Sequence, residues 1–239
     1  MVVHFNLKYF SYNGLKINVL KSEHIVFGHP RTKKVVIEGR VEAEKVKLLG
    51  ITVSNHYKFD AHVDAITEKI ARRNGQLNGI AGVDTMKMLA SATILSVASY
   101  GSFVYARDKK NINLIQMKLN KTMGLVTRSR LKTHVADMLN DLNWMKFEIM
   151  VAYNKIMLMH RILSSSAAPY CMMLMQKAMH QTRYLMRERE LCIAWRSKQA
   201  RKGFSSFLVT AVSLYNQVKL MGKVMKVHLI RLVKKTLKS

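Results

Sequence analysis

Acidic and histidine side chains are the residues of this sequence that would bind a metal ion or transfer a proton. Asp60, Asp64 and Glu68 recur at a spacing of four, which places three carboxylates on one helix face, an arrangement that suits a cation. Acids near a helix start more often cap it and offset its dipole, and we favour that interpretation. His56 and His62 are predicted in a loop and a helix, and the nine histidines show no zinc-ligand spacing. The sequence therefore predicts no metal site and no catalytic residue.

The cysteines and the first residues bear on the cellular compartment. Cys171 and Cys192 match no metal-binding spacing, and two thiols cannot form a disulfide framework, so we expect a reducing compartment. Residues 1–10 lack the apolar core of a signal peptide. These features predict an intracellular protein of the nucleus or cytoplasm.

Net charge is the outlying property of the chain. Forty basic residues stand against fourteen acidic ones, which gives a formal net charge of +26. The excess is strongest from Arg201 onward, where nine basic residues occur and no acidic one. This charge predicts a polyanionic partner, either nucleic acid or an acidic membrane surface. The alternative is the unpurged surface of a chain no longer under selection.

Hydrophobic periodicity changes near residue 58. Before it, short β-friendly runs predict strands at 15–20, 24–27, 34–38 and 46–53. Residues 1–13 predict a short helix that Asn13-Gly14 would end. After residue 58, apolar residues recur at helical spacing. The predicted fold class is α+β, with a small antiparallel β region followed by a mainly α-helical part.

Polar residues mark where the helices are expected to begin. The predicted helices run from Asp60 to Ile80, Asp84 to about Tyr105, Asp108 or Asn111 to Val126, Thr133 to Leu139, and over 145–163, 205–219 and 221–238. Residues 88–106 carry no charge and are long enough to cross a bilayer. Five hydroxyl side chains are spread around that stretch, so we predict a buried helix there and no membrane span.

Several short sequence blocks follow one another along the chain. The first are Asn13-Gly14-Leu15-Lys16-Ile17-Asn18, Lys21-Ser22-Glu23, Val26-Phe27-Gly28, Lys47-Leu48-Leu49-Gly50-Ile51 and Phe59-Asp60-Ala61-His62-Val63. The later ones are Tyr100-Gly101, Gln116-Met117-Lys118, Thr127-Arg128, Pro169-Tyr170, Thr182-Arg183 and Leu214-Tyr215-Asn216. In these blocks and their order, nearly the whole chain resembles the C-terminal part of a reverse transcriptase of the non-LTR retrotransposon (LINE or jockey-like) kind.

The resemblance implies a division of the chain and a class of partner. Residues 1–58 would be the end of the palm with a primer-grip hairpin, 59–132 a helical thumb, and 133–239 a basic helical extension. The implied partners are RNA and DNA, held as an RNA–DNA template–primer. Lys47 and Gly50 would form the primer grip, where glycine permits close backbone approach and lysine meets a phosphate.

The resemblance also implies further contacts with phosphate. The remaining candidates are Lys21, Arg72, Arg73, Arg128, Arg130 and Lys132. Lys21 resembles a palm lysine proposed to donate a proton to pyrophosphate, although without a catalytic centre it is a surface lysine. The two arginines at 72 and 73 would lie on the first thumb helix, and the last three candidates in a basic linker over 127–132.

The two adjacent aspartates of that family have no counterpart in this sequence, which contains no two adjacent carboxylates. In the family they hold the Mg²⁺ ions that activate the primer hydroxyl. The motif would lie upstream of Met1, so we expect a truncated reading frame or a gene-prediction fragment. The missing N-terminal part of the polymerase would be a further partner, and this chain alone is expected to hold no cofactor and to polymerise nothing.

A second hypothesis is a non-enzymatic cationic helical protein that binds RNA or an acidic membrane surface. It rests on the last predicted helix, where lysines gather on one face and aliphatic side chains on another. The lysines are Lys219, Lys223, Lys226, Lys234 and Lys238. Such a helix fits phosphate contact, a membrane surface or packing on the helical bundle, and all three stay open.

Overall fold

The computed structural model describes residues 11–16, 18, 21–27, 41–56, 58–129, 133–165, 210, 211, 214 and 215. The chain divides into two compact units, Met1–His62 and Val63–Ser239. A two-stranded antiparallel sheet in the first and helices throughout the described part of the second confirm the predicted α+β class.

Short strands form two pairs in the described part of Met1–His62. Strand β1 (Glu23–His24) lies parallel to β2 (Val41–Glu42), and β3 (Lys45–Leu48) lies antiparallel to β4 (Ile51–Ser54). The run predicted as one strand over 46–53 is therefore a hairpin. Of the strand predicted over 24–27, only His24 lies in a strand, β1. The strand predicted over 34–38 lies outside the described residues.

The prediction of a strand over 15–20 is wrong for its described members. Leu15, Lys16 and Asn18 belong to no strand. Both the backbone and side-chain oxygens of Asn18 accept the Lys21 N–H, each at 3.2 Å, and this local turn replaces strand pairing. Upstream, Ser11 and Tyr12 are helical and Gly14 turns the chain at φ 66°, while residues 1–10 of the predicted helix lie outside the described part.

Helices make up most of the described part of Val63–Ser239. They are α1 (Asp60–Leu77), α2 (Val83–Leu89), a π-helical segment (Ala90–Leu95), α3 (Ser96–Ser99), α4 (Ser102–Tyr105), α5 (Lys109–Thr127), α6 (Val135–Leu142) and α7 (Phe147–Ser165). The first of these begins in the preceding unit. Of the helices predicted over 205–219 and 221–238, only residues 210, 211, 214 and 215 are described, and all four are helical.

The helix predicted from Asp84 to Tyr105 begins at Val83, continues through the π-helical segment and is interrupted at Gly101. Gly82, not Asp84, is the N-cap of α2, and Asp84 lies in the first turn with no side-chain capping bond at that end. Gly101 separates α3 from α4 at φ 63°, a left-handed conformation that glycine adopts without steric cost. The Ser91 and Thr93 hydroxyls each donate to the carbonyl four residues earlier at 2.7 Å, so they are satisfied within the helix.

Helix starts follow the predicted residues to within one or two positions. Helix α1 begins at Asp60, and Asp108 is the N-cap of α5. His134, rather than the predicted Thr133, is the N-cap of α6. Both Asp108 and His134 have extended backbones, which is the conformation that a capping position requires.

Apolar stripes of the longer helices form the core of Val63–Ser239. On α1, the predicted stripe residues Val63, Ile66, Ile70 and Leu77 are buried. On α5, α6 and α7 the buried side chains include Ile115, Leu119, Met123, Val126, Leu139, Leu142, Phe147, Ile156 and Met159. Within the described ranges, no helix has the length and apolarity needed to cross a membrane.

Two titratable side chains are enclosed by this packing. The Tyr105 hydroxyl on α4 donates to the Ala98 carbonyl oxygen, and burial raises the pKa of the phenol above its usual range. Lys155 on α7 is only 8% exposed. Burial, and secondarily the positive charge of Arg107, lower the pKa of the Lys155 ammonium from its usual value of 10.5.

Replacing Lys155 by methionine is expected to stabilise the protein at about pH 7, because burial penalises the charged form of the lysine and methionine has no charge to bury. As pH rises from the lowered pKa toward 10.5, the unfolded chain binds more protons than the folded one. The stability of the parent protein should therefore rise relative to Lys155→Met in that window.

Urea unfolding of both proteins across the alkaline range measures this difference. Lys146→Met, at an exposed lysine just before α7, is the control, and its difference from the parent should not vary with pH in that way. A Lys155→Met variant that is less stable at neutral pH would contradict the assignment.

Candidate nucleic-acid interface

The β3–β4 hairpin has one polar and one apolar face. Its register pairs Lys45 with Ser54, Val46 with Val53, Lys47 with Thr52, and Leu48 with Ile51. Because side chains alternate along a strand, both lysines share a face with the two hydroxyl side chains, and the four aliphatic side chains share the other. The hairpin thus presents two cations and two hydrogen-bonding hydroxyls together.

A two-residue turn holds the hairpin closed. Leu49 and Gly50 both have positive φ, at 47° and 83°, as a type I′ turn requires. Gly50 adopts this conformation readily, and Leu49 is held in it by the pairing of the flanking strands. Lys47 and Gly50, the predicted primer-grip residues, are therefore both exposed at or beside the turn.

The open end of the hairpin is fixed by side-chain bonds within Met1–His62. The Thr52 N–H donates to His62 Nδ1 at 3.3 Å, and the Ser54 hydroxyl bridges to Lys58, with bonds of 3.0 and 3.1 Å. A cavity of about 300 Å³ lies at this end and is lined by Glu44, Lys45, Thr52, Ser54, Asn55, His56, Lys58, Asp60 and Ala61. Its two carboxylates balance its two lysines, so it does not favour an anion.

The other sequence candidates are differently placed. Lys21 is exposed in a short 3₁₀ turn, and its backbone N–H is bonded to Asn18. Arg72 is exposed on α1 and pairs with Glu68 at 3.3 Å, a surface ion pair of small energetic value. Arg130 and Lys132 lie outside the described residues.

Two of the candidate arginines bond to backbone carbonyls. The Arg73 guanidinium donates to the Thr93 carbonyl in the π-helical segment and is half-buried. Arg128 is the C-cap of α5 in a left-handed conformation, φ 50°, and its guanidinium donates to the Ala81 carbonyl. Arg73 therefore joins α1 to the π-helical segment through a part-buried bond, whereas the Arg128 bond lies at the surface. Sequence spacing did not indicate either bond.

A groove between α1, α5 and α6 brings together residues that the sequence analysis did not select. Its volume is about 660 Å³, and its lining is Ala71, Asn74, Lys118, Asn120, Lys121, Gly124, Leu125, Ser129, Thr133, Val135 and Met138. Its described lining includes two lysines and four hydrogen-bonding side chains, and no carboxylate is among these described residues. Lys118 and Lys121 are three residues apart on a predicted helix, and this spacing is the sequence feature that indicates a shared basic face there.

No cluster of three or more potential metal ligands occurs among the described histidine, cysteine, aspartate and glutamate side chains. Asp60 lies in the first turn of α1, where it offsets the helix dipole, and Glu68, two turns further on, pairs with Arg72. No family model matches the chain, and neither the search of curated proteins nor that of solved structures finds a match.

Arg73 and Arg72 offer a matched test of the structural role. Arg73→Met retains the aliphatic stem but removes the donor to the Thr93 carbonyl, so we expect a loss of about 1–3 kcal/mol in the free energy of unfolding. Arg72→Met breaks only an exposed pair and should change stability by less than about 0.5 kcal/mol. Urea denaturation measures both, and equal effects would show that the Arg73 bond does not stabilise the fold.

Proposed function

We propose that this chain binds an RNA–DNA hybrid through its phosphates, without sequence preference, as the template–primer-holding part of a reverse transcriptase of the non-LTR retrotransposon kind. The observation that carries the proposal is the polar face of the β3–β4 hairpin. It displays Lys45 and Lys47 beside Thr52 and Ser54, and Lys47 begins the block whose sequence resembles a primer grip.

The geometry of that face suits a sugar–phosphate backbone. Lysines two residues apart on a strand are about 6.6 Å apart, and their long stems let each ammonium meet a separate phosphate. The Thr52 hydroxyl opposite Lys47 is an additional donor to phosphate oxygens, whereas the Ser54 hydroxyl already donates to the Lys58 carbonyl oxygen. Contacts of this kind read no bases, which is what a polymerase that moves along any sequence requires.

Lys47 is the stronger of the two hairpin lysines for this role. Lys45 belongs to the mixed-charge cavity that Glu44 and Asp60 also line, so its charge is partly offset. Lys47 lies nearer the turn, is exposed and faces Thr52 across the hairpin. Gly50, in the turn, leaves room for a strand because it has no side chain.

An acidic membrane surface is a second candidate, favoured by the tip of the same hairpin. Leu48 is 64% exposed and Leu49 is 81% exposed, directly beside Lys47. Exposed leucines next to lysines suit the interface of an anionic bilayer. Two residues bury little apolar area, however, whereas the polar face of the hairpin suits phosphates along a strand, so we favour nucleic acid.

Neutralising Lys47 should weaken binding to an RNA–DNA hybrid and reduce its salt dependence. With Lys47→Gln, the slope of log affinity against log salt concentration should fall in magnitude by about 0.9, the value for one lost phosphate contact. Lys58→Gln, at an exposed lysine of the mixed-charge cavity, is the control and should change the slope less. Fluorescence anisotropy with a labelled hybrid gives both slopes.

Two results of that titration would count against the proposal. They are a parent protein that does not bind the hybrid, and equal slopes for the Lys47 and Lys58 variants. In a parallel arm, tighter binding to vesicles containing phosphatidylserine than to the hybrid would favour the membrane candidate.

A further inference from the structure

The groove between α1, α5 and α6 differs in character from the cavity at the hairpin. Among its described lining residues, the charged side chains are Lys118 and Lys121, one turn apart on α5, and none is a carboxylate. Thr133 and Val135 bring the amino end of α6 to its edge, but Asp137 in the first turn of α6 offsets the positive end of that helix, so the two lysines supply the positive charge of the groove. The electrostatics of the lining therefore favour an anionic ligand.

A chain of hydrogen bonds sets the orientation of the Asn120 side-chain amide, which lines the groove. The backbone N–H of Phe147 can only donate, and it bonds to Gln116 Oε1 at 2.6 Å. Gln116 must then present its amide nitrogen on the other side, and it donates to Asn120 Oδ1 at 2.7 Å. With its oxygen engaged, Asn120 keeps its amide nitrogen as the donor for the groove.

Asn74 ties α1 to α5 at the wall of the groove. It is 9% exposed on α1, and its side-chain amide lies 2.9 Å from the Thr122 hydroxyl oxygen, which is also 3.1 Å from the Lys118 carbonyl oxygen. The Thr122 hydroxyl has a single proton, and the Lys118 carbonyl can only accept it, so this contact does not assign the Asn74 NH₂ to a ligand. The groove therefore offers two lysines and the Asn120 amide as its cations and donor.

We propose that this α1–α5–α6 groove binds the sugar–phosphate backbone of a nucleic-acid strand, with Lys118 and Lys121 neutralising phosphates and Asn120 donating to their oxygens. The inference rests on the proposed function and assigns to it a site in the helical unit. A volume of about 660 Å³ exceeds what one inorganic phosphate needs. Arg128, bonded to the Ala81 carbonyl, is not part of this site.

A pair of double substitutions on one helix tests the groove. Lys118→Gln/Lys121→Gln should reduce the magnitude of the salt slope for an RNA–DNA hybrid by about 1.8, which corresponds to two phosphate contacts. Lys109→Gln/Lys110→Gln removes the same charge from exposed lysines at the other end of α5, outside the groove, and should reduce it by less than half as much. Anisotropy titrations at several salt concentrations give the slopes.

A second pair probes the amide polarity and keeps the test valid if the lysine variant does not fold. Asn120→Asp preserves the acceptor for Gln116 but turns a carboxylate oxygen toward the groove, so affinity should fall about tenfold or more. Asn113→Asp makes the same charge change at an exposed position of α5 outside the groove, and affinity should fall by no more than about threefold.

The outcomes separate this inference from the proposed function. If the parent protein binds the hybrid but each groove variant matches its control, the groove assignment is overturned and the proposed function stands. If the parent protein does not bind the hybrid, the proposed function fails and the groove assignment falls with it. Larger losses in both groove variants than in their controls would support the site.

Discussion

Burial of one stripe of α5 is the constraint on which the described helical unit depends. Ile115, Leu119, Met123 and Val126 are each at most 3% exposed, and α5 packs against α2, α6 and α7. Each such side chain contributes roughly 1.5–3 kcal/mol on removal from water, before the entropy of ordering it is subtracted. Because the stripe fixes the rotation of the helix about its axis, it also fixes where the polar residues of α5 lie.

The polar side chains of α5 have two roles, one in the interior and one in the groove. Toward the interior, Thr122 joins α5 to Asn74 of α1, and Gln116 joins it to the start of α7. Toward the groove, Lys118, Asn120 and Lys121 present cations and an amide donor. The same bonds that hold the helices together therefore orient groups that we assign to phosphate binding. In Met1–His62, the strand register places two lysines on one face of the hairpin.

Sequence periodicity predicted the elements whose formation depends on local pattern. The change near residue 58 and the buried stripe of α1 follow from apolar spacing alone. The Leu49-Gly50 turn within a predicted strand did not, because a leucine at φ 47° is disfavoured locally and is held there by strand pairing. The break at Gly101 likewise depends on one glycine within an otherwise helical pattern.

The candidate site was less predictable than the fold, for a physical reason. An arginine selected by charge looks the same in sequence whether its guanidinium meets a phosphate or a carbonyl. Arg73 and Arg128 bond to carbonyls of residues that lie far along the chain, at Thr93 and Ala81. Lys118 and Lys121 were overlooked because only the packing of α1, α5 and α6 shows that they line one groove without a carboxylate.

Salt dependence of hybrid binding by the unaltered protein tests the central claim most directly. Two RNA–DNA hybrids of equal length and unrelated sequence would be titrated between about 50 and 200 mM salt. Phosphate binding predicts affinities that agree within about threefold and log–log slopes that are equal and steeper than about −3. A preference of about tenfold or more for one sequence, or an affinity insensitive to salt, would contradict the account.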